Sequence, residues 1–390
     1  MKRFLLLVFI AAGLLVAWAQ PVVAQEPTPV PKPSPFGDPL CQPEKYYRAA
    51  SGDCLDFGPS TYLRRIKNAA VTFDAPPFRY EVLDPSYFNL DVRYMEVRKD
   101  IQKNMPVYGS MQDVGKKSAA ISSISTYFSY ITYQDVVDKK YVLTNGGTWV
   151  ARGDVSPVAP SQAFRGLIFP YTPPTDFGWT FLETVPRSAP GYASPEVPEA
   201  ILATNTVVQV FETQVVDGNE WDRVGPDLWV EGRLVNKVTV NTNPPEGVDN
   251  GRWIEVNLAE QTLSVYDNRR LVFAAIVATG EEPLFTRPGL FPIYEKHDTT
   301  LMQGATLADR SDFYYLEDVP WTMYFDKARA LHGAYWRAKL GFPQSHGCVN
   351  LSVGDAHWIY DWANVGDWVY VWDPSGKTPT DPGFYGDGGA

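Results

Sequence analysis

Apolar and polar residues alternate in short runs along most of this chain, and turn-forming residues separate the runs, which is the period-two pattern of half-buried strands. Residues 92–97 alternate in this way, Pro106-Val107-Tyr108 begins a second run, and 127–131 forms a third. Asn145-Gly146-Gly147 ahead of Thr148-Trp149-Val150 predicts a hairpin, because Asn and Gly accept the positive φ of a tight turn. A second set lies between Thr206 and Val240: 207–211, the turn Asp217-Gly218-Asn219, then 221–224 and 228–232. The two sets end alike, Trp149-Val150-Ala151-Arg152-Gly153 against Trp229-Val230-Glu231-Gly232-Arg233. That likeness marks either a repeated module or two parts of one irregular β domain.

A third alternating hairpin begins at Trp253. Trp253, Glu255 and Asn257 share one face and Ile254, Val256 and Leu258 the other, and 263–266 turns through Asp267-Asn268 into Leu271-Val272-Phe273. One stretch reads clearly as a helix. Ser352 offers a cap, Asp355 suits the positively polarised first turn, and Ala356, Ile359, Tyr360 and Ala363 fall on one face. Gly366 lies just past its end, and Trp368-Val369-Tyr370-Val371-Trp372 predicts a closing strand. The expected fold class is therefore mainly β, with one or two short helices.

The ends and joints follow from composition. Lys2 and Arg3 precede an apolar run, 4–16, and Ala17-Trp18-Ala19 or Val22-Val23-Ala24 offers a cleavage site, so 1–24 reads as an export signal. That run is shorter than the ~20 residues that span a bilayer, so no transmembrane segment is expected in the mature form. Prolines crowd 25–39, a stiff solvated spacer, and Cys41 and Cys54 beyond it would pair in an oxidising compartment, making 25–60 a linker with a disulfide-closed loop. Two β modules are expected over 61–172 and 173–243, with the Pro/Ser/Ala-rich stretch 188–198 as a linker between the halves. Thr242-Asn243-Pro244-Pro245-Glu246-Gly247 marks the boundary before a last domain, 250–373, and the Gly/Pro/Asp-rich 374–390 reads as a disordered tail. Charge adds an exclusion. The net charge is -11 and no stretch gathers Lys and Arg, which argues against nucleic acid as a partner.

Candidate chemistry concentrates in 332–350, which holds two of the four histidines and, in Cys348, one of three cysteines. Gly341, Pro343 and Gly347 make the stretch a loop. With Cys41 and Cys54 paired, Cys348 is the odd thiol of an exported chain, and His332 is the candidate base that would withdraw its proton. Gly347 and Cys348 can offer backbone N–H groups to an oxyanion, and Gly333 follows the base directly. His346 serves either as a loop-shaping partner or in proton transfer. Asn350 is expected to tie the loop through its side chain, beside Ser345. Trp336 and Arg337 can face an anionic, peptide-bearing substrate, with a solvated arginine as the plainer alternative. Tyr314, Tyr315 or Tyr324 can add a hydroxyl donor, or simply pack. His297 reads as a loop residue and His357 as an ion pair with Asp361 one turn on. A zinc site from His332, His346 and Cys348 matches no standard ligand spacing, so neither metal nor cofactor is expected.

His332-Gly333 and, after a gap, Ser345-His346-Gly347-Cys348-Val349-Asn350 resemble the active-site signature of the L,D-transpeptidases, the YkuD-like family. The flanks 252–263 and 319–325 are similar to the family's opening strands and its approach to the histidine. Thr286-Arg287-Pro288-Gly289-Leu290-Phe291 departs from the usual T-P-x-G-x-F by moving the proline beside the glycine. The resemblance implies a β-sandwich-like catalytic domain, and the upstream modules resemble bacterial SH3-like domains. It also implies that a backbone carbonyl, commonly that of the following residue, holds the second ring nitrogen of His332. The implied reaction is peptidoglycan cross-linking in cell-wall biogenesis: Cys348 forms a thioester with a stem tetrapeptide and an amine resolves it, with no cofactor. The rival readings are an L,D-carboxypeptidase on the same fold and a wall-binding protein with an inactive domain. Peptidoglycan stem peptides are then the partners, the chain a monomer, and its place the cell wall, periplasm or extracellular space.

Overall fold

The computed structural model describes residues 77–98, 105–117, 121–123, 127–130, 141–304 and 314–386. The expected export signal, proline-rich spacer and Cys41–Cys54 pair lie outside the described residues. Upstream of the third hairpin the strands are β1 (Glu81–Val82), β2 (Arg93–Val97), β3 (Met105–Tyr108), β4 (Ile121–Ser123), β5 (Tyr127–Tyr130), β6 (Tyr141–Leu143), β7 (Trp149–Ala151), β8 (Val155–Val158) and β9 (Leu167–Ile168). Next come β10 (Asp176–Thr180), β11 (Val207–Val210), β12 (Glu212–Val216), β13 (Asn219–Gly225), β14 (Leu228–Glu231) and β15 (Val235–Val238). The last part holds β16 (Arg252–Asn257), β17 (Thr262–Asp267), β18 (Arg270–Ile276), β19 (Gly289–Pro292), β20 (Glu295–Gly304), β21 (Tyr314–Asp326), β22 (Arg329–Gly333), β23 (Val349–Leu351) and β24 (Trp368–Trp372).

Two large sheets carry the last part. One runs β1-β9-β18-β17-β16-β24-β19, and the other β23-β22-β21-β5-β2-β8 with β20 also on β21. Strands β1, β9, β2, β5 and β8 come from the segment expected to be a separate module over 61–172. They extend the two sheets instead, and 75–390 packs as one compact unit. Among the described residues only β4-β3-β7-β6 makes a sheet from that segment alone, whereas 173–243 forms two three-stranded sheets, β11-β10-β15 and β12-β13-β14.

Alternation along β16 separates two cores rather than core from solvent. Ile254, Val256, Leu263, Val265, Phe273 and Ala275 pack in one cluster, and Trp253, Tyr266, Leu271, Ala274 and Ile276 in another. Trp253 stacks on Tyr266 with ring centroids 4.5 Å apart. The Asn145-Gly146-Gly147 and Asp217-Gly218-Asn219 turns join β6 to β7 and β12 to β13 as the sequence predicts. The shared Trp-containing endings take one local form, a strand followed by a single 3-10 turn, over Arg152–Asp154 and Gly232–Leu234.

Two expectations change. Residues 188–198 are not a linker: Arg187 donates to the Tyr192 and Ser194 carbonyls and pairs with Glu196, while the Tyr192 hydroxyl donates to Glu231 at 2.6 Å. These bonds fold the stretch onto β14. The described part of the 374–390 tail is placed as well, with Tyr385 buried under the Arg329 guanidinium. An aromatic late in a Gly/Pro-rich stretch is sufficient to anchor it.

The helix spans Val353–Trp362, and the Asp355 amide donates to the Ser352 cap at 3.1 Å. Asp355 itself is fully buried and accepts from the Gly166 amide at 2.7 Å, which ties the approach to β9 onto the helix. A Cβ at Gly166 would stand 2.3 Å from Phe273, so the two chains meet only through a glycine. Burial pushes the Asp355 carboxyl from 3.8 to about 7, against the pull of Ser352, Gly166 and Arg165. The folded protein therefore keeps a proton that the unfolded chain gives up above its ordinary value. Its contribution is most favourable below pH ~4, declines as pH rises to about 7, and is level beyond. Asp355→Asn carries no such titration. Melting curves should show wild type losing several degrees relative to the variant between pH 4 and 7, and a flat difference would contradict the assignment.

Candidate active site

Strands β22 and β23 pair in parallel, with Leu331 opposite Val349, His332 opposite Asn350 and Gly333 opposite Leu351. Side chains alternate along a strand, so His332 and Asn350 project from one face, and Cys348, two residues before Asn350, continues that face. His332, Asn350 and Cys348 accordingly line one cavity of about 180 Å³, together with Ser345, His346, Trp336 and Arg337. The thiol is free and 4% exposed, and His332 is 2% exposed. Nδ1 of His332 lies 3.3 Å from the Gly333 carbonyl, which orients the ring and leaves Nε2 for chemistry. The Trp336 ring stacks on the imidazole with centroids 5.7 Å apart.

The loop between the two strands is pinned from below. The amides of Gln344 and Ser345 donate to the Thr279 carbonyl at 2.9 and 3.0 Å, and that of Gly341 to Val277 at 2.8 Å. Gly341 has φ +96 and its carbonyl accepts from Asn236 of β15, so the preceding module holds the loop. Arg337 is not a solvated arginine. It is half-buried and donates to the Gln344 side chain at 2.9 Å and to its carbonyl at 2.5 Å, closing the loop on itself.

The turn at the cysteine rests on three bonds. Ser345 Oγ donates to the Cys348 carbonyl at 2.6 Å, the Gly347 amide donates to Ser345 Oγ at 3.2 Å, and Thr286 Oγ1 donates to the Gly347 carbonyl at 2.8 Å. The Gly347 amide, expected to face an oxyanion, is thus committed to Ser345. What position 347 requires is a φ of +115, with the Arg329 guanidinium 3.2 Å from where a Cβ would stand. Asn350 ties the loop through its main chain, exchanging bonds of 2.9 Å with Ala278. Gly333 is packed against Pro320 and Val353, where a Cβ would come within 3.1 and 3.2 Å.

Tyr314 lines the cavity and stacks on His346 at 5.0 Å. Tyr324 packs half-buried against the cluster around Cys348, and Tyr315 does not line the cavity. His297 is on β20 rather than in a loop, paired with Glu295 at 2.9 Å. His357 lies 3.7 Å from Asp361 as expected, but also stacks on Trp321 at 3.9 Å, so it is a packed residue. Among the described residues no group of three His, Cys, Asp or Glu is placed to hold a metal ion.

The family model that matches is the L,D-transpeptidase catalytic domain, over residues 251–371. Residues 251–371 are thus similar to that family's catalytic domain, and the rest of the chain lies outside the match. L,D-transpeptidase 1 of Mycobacterium tuberculosis is 26% identical over 218 residues, covering 47% of this chain and 85% of the relative. An L,D-transpeptidase crystal structure from Enterococcus faecium is 20% identical at TM-score 0.29, covering 31% of this chain and 50% of that one, half its length. The L,D-transpeptidase from Mycobacterium smegmatis is 18% identical at TM-score 0.30, covering 55% and 93%.

Several residues at or behind this cavity escape sequence reading. Tyr127, Met302 and Leu316 line it, yet nothing local marks them. Arg329 is visible only through its buried ion cluster, in which Asp326 takes Arg329 at 3.0 Å and Arg287 at 2.5 Å. Thr286 stands within the shifted T-R-P-G-L-F stretch, and its position before the proline was the available signal.

Electrostatics set the resting protonation of this site. Burial, helped by the Arg337 charge, drops the His332 imidazole to about 4 although the Gly333 carbonyl pulls upward. Burial lifts the Cys348 thiol to about 11, opposed by a backbone contact of Ala330 and the Arg329 charge. At neutral pH both groups are therefore uncharged. Iodoacetamide alkylation of Cys348 should be slower than that of free cysteine at pH 7 and climb about tenfold per pH unit up to pH ~10. A plateau between pH 6 and 8, read by mass spectrometry, would mean a preformed thiolate and refute this.

Proposed function

We propose that this protein is an exported peptidoglycan L,D-transpeptidase that works through a Cys348 thioester. The observation that carries the reading is a free thiol and a neutral imidazole in one small cavity, with Nδ1 of that imidazole held by Gly333. The name of the Mycobacterium tuberculosis relative supports it. Nε2 of His332 takes the thiol proton as Cys348 attacks the carbonyl of the third stem residue. The sulfur–carbon bond forms, the bond to the terminal D-alanine breaks, and the leaving amine receives the proton from the imidazolium. An incoming amine then attacks the thioester carbonyl, and the thiolate leaves and recovers its proton. Trp336 and Tyr314, one against each histidine, narrow the cavity, and Cys348 N–H serves the oxyanion. The strand-and-3-10 ending at 228–234 and the two three-stranded sheets of 173–243 support reading that segment as an SH3-like module beside the wall polymer.

A carbapenem should add its mass to wild type but not to Cys348→Ala, and His332→Ala should slow that addition at least 100-fold, about 3 kcal/mol of barrier. Intact-protein mass spectrometry reads both, and an unmodified wild type would point to an inactive domain. With disaccharide-tetrapeptide, cross-linked dimer is the expected product, and tripeptide alone would identify the L,D-carboxypeptidase instead.

A further inference from the structure

The tight turn between β21 and β22 is the seat of the sulfur. Sγ of Cys348 lies 3.7 Å from the Ala328 carbonyl in that turn. The next residue, Arg329, is 4% exposed, and its side chain passes Gly347 with Nε 3.2 Å from where a Cβ there would stand. That Nε is buried and has no hydrogen-bond partner, whereas Nη1 pairs with Asp326 at 3.0 Å. A buried donor left unspent is costly unless something nearby answers it. Arg287 donates to the same carboxylate from its own Nε at 2.9 Å. Burial works against ionisation of Asp326, but Arg287 and then Arg329 outweigh it and hold the carboxyl below its ordinary value. Two guanidinium groups and one carboxylate make the cluster net positive behind the thiol.

What closes this cluster from outside comes from beyond the matched segment 251–371. The Tyr385 ring covers the Arg329 guanidinium, its centroid 5.2 Å from Cζ, and the Tyr385 hydroxyl donates to the Pro379 carbonyl at 2.5 Å. Asp373 is near enough to act on that hydroxyl. Lys327, in the turn, donates to the Gly386 carbonyl at 3.1 Å, and its own carbonyl accepts from the Tyr294 hydroxyl. The other titratable groups facing Cys348 are His332 and the Tyr294 and Tyr324 hydroxyls, with exposed Glu295 beyond them. Burial keeps those three uncharged at neutral pH, so the Arg329 cluster is the charge that the sulfur meets.

We infer that Arg329 is a positioning residue for Cys348, and that the C-terminal stretch 379–386 tunes the nucleophile by keeping water off the guanidinium. The inference rests on the reading of Cys348 as the attacking atom. When the thiol gives its proton to Nε2 of His332, negative charge on sulfur meets a cation whose dry surroundings strengthen the attraction. The same cation steadies the sulfur again as it leaves the thioester. Tyr385 contributes twice, as an aromatic face for the cation and as a plug against solvent.

The test reads iodoacetamide alkylation at Cys348 by peptide mass spectrometry in the full chain, as a function of pH. The reagent is uncharged, so the cluster acts on the sulfur alone. Arg329→Gln makes the cluster neutral and should displace the profile to higher pH, slowing alkylation at pH 8 about fivefold. Asp326→Asn makes it more positive and should displace the profile the other way, by about fivefold in rate at the same pH. Arg329→Lys keeps the charge and should stay within about twofold of wild type. Tyr385→Ala should shift the profile in the direction of Arg329→Gln, and Tyr385→Phe should match wild type. Charge variants displaced in the same direction, or not displaced, reveal packing alone and overturn the inference. If a charge variant does not fold, the Tyr385 pair decides, and equal profiles for Ala and Phe overturn it. Wild type that takes up no carbapenem refutes the acyl-enzyme reading, and the alkylation profiles then still decide whether Arg329 and the tail set the reactivity of the thiol.

Discussion

His332 and Asn350 face one another across a parallel strand pair, and most of what this molecule can do is a consequence of that register. A parallel pair needs a long crossover, and here the crossover is the loop 334–347, itself part of the site. Shifting the register by one residue would turn Cys348 away from the imidazole. The bonds beneath the loop, from Thr279, Val277 and Thr286, hold that register in place. Chemistry and topology are therefore not separable in this domain.

Burial of the pair has a cost and a use. A sulfur and an imidazole sealed among Met302, Leu316 and aromatic rings stay uncharged, since neither ion is solvated there. The resting site is thus unreactive toward water and toward stray electrophiles at neutral pH. The Arg329–Asp326–Arg287 cluster behind the turn keeps a positive charge near the sulfur without exposing it.

The upstream segments are structural members of the site. Strand β5 brings Tyr127 to the cavity, Asn236 of β15 holds the loop at Gly341, and the approach to β9 meets the helix through Gly166 and Asp355. A segment that supplies sheet strands cannot be removed without exposing a sheet edge, and these segments share one compact unit with the strands of the site.

From the sequence alone one could read the hairpins at Asn145-Gly146-Gly147 and Asp217-Gly218-Asn219, the capped helix after Ser352, the closing strand and the stretch that brings Cys348 and His332 to one cavity. Each is local or carried by a compact motif, where residue chemistry and spacing suffice. Tertiary structure decided the rest. Period-two alternation cannot say which sheet a strand joins, so the expected separate module over 61–172 gave its strands to the sheets around the site. It cannot say whether the far side of a strand meets water or a second core, as β16 shows. Arg337 and the Gly347 amide have partners in the loop itself, but only the folded loop brings Gln344 and Ser345 to them. Contacts between residues some two hundred positions apart, such as Tyr127 with Trp336, leave no mark in either stretch, because nothing in a one-dimensional pattern encodes which surfaces the fold will close upon each other.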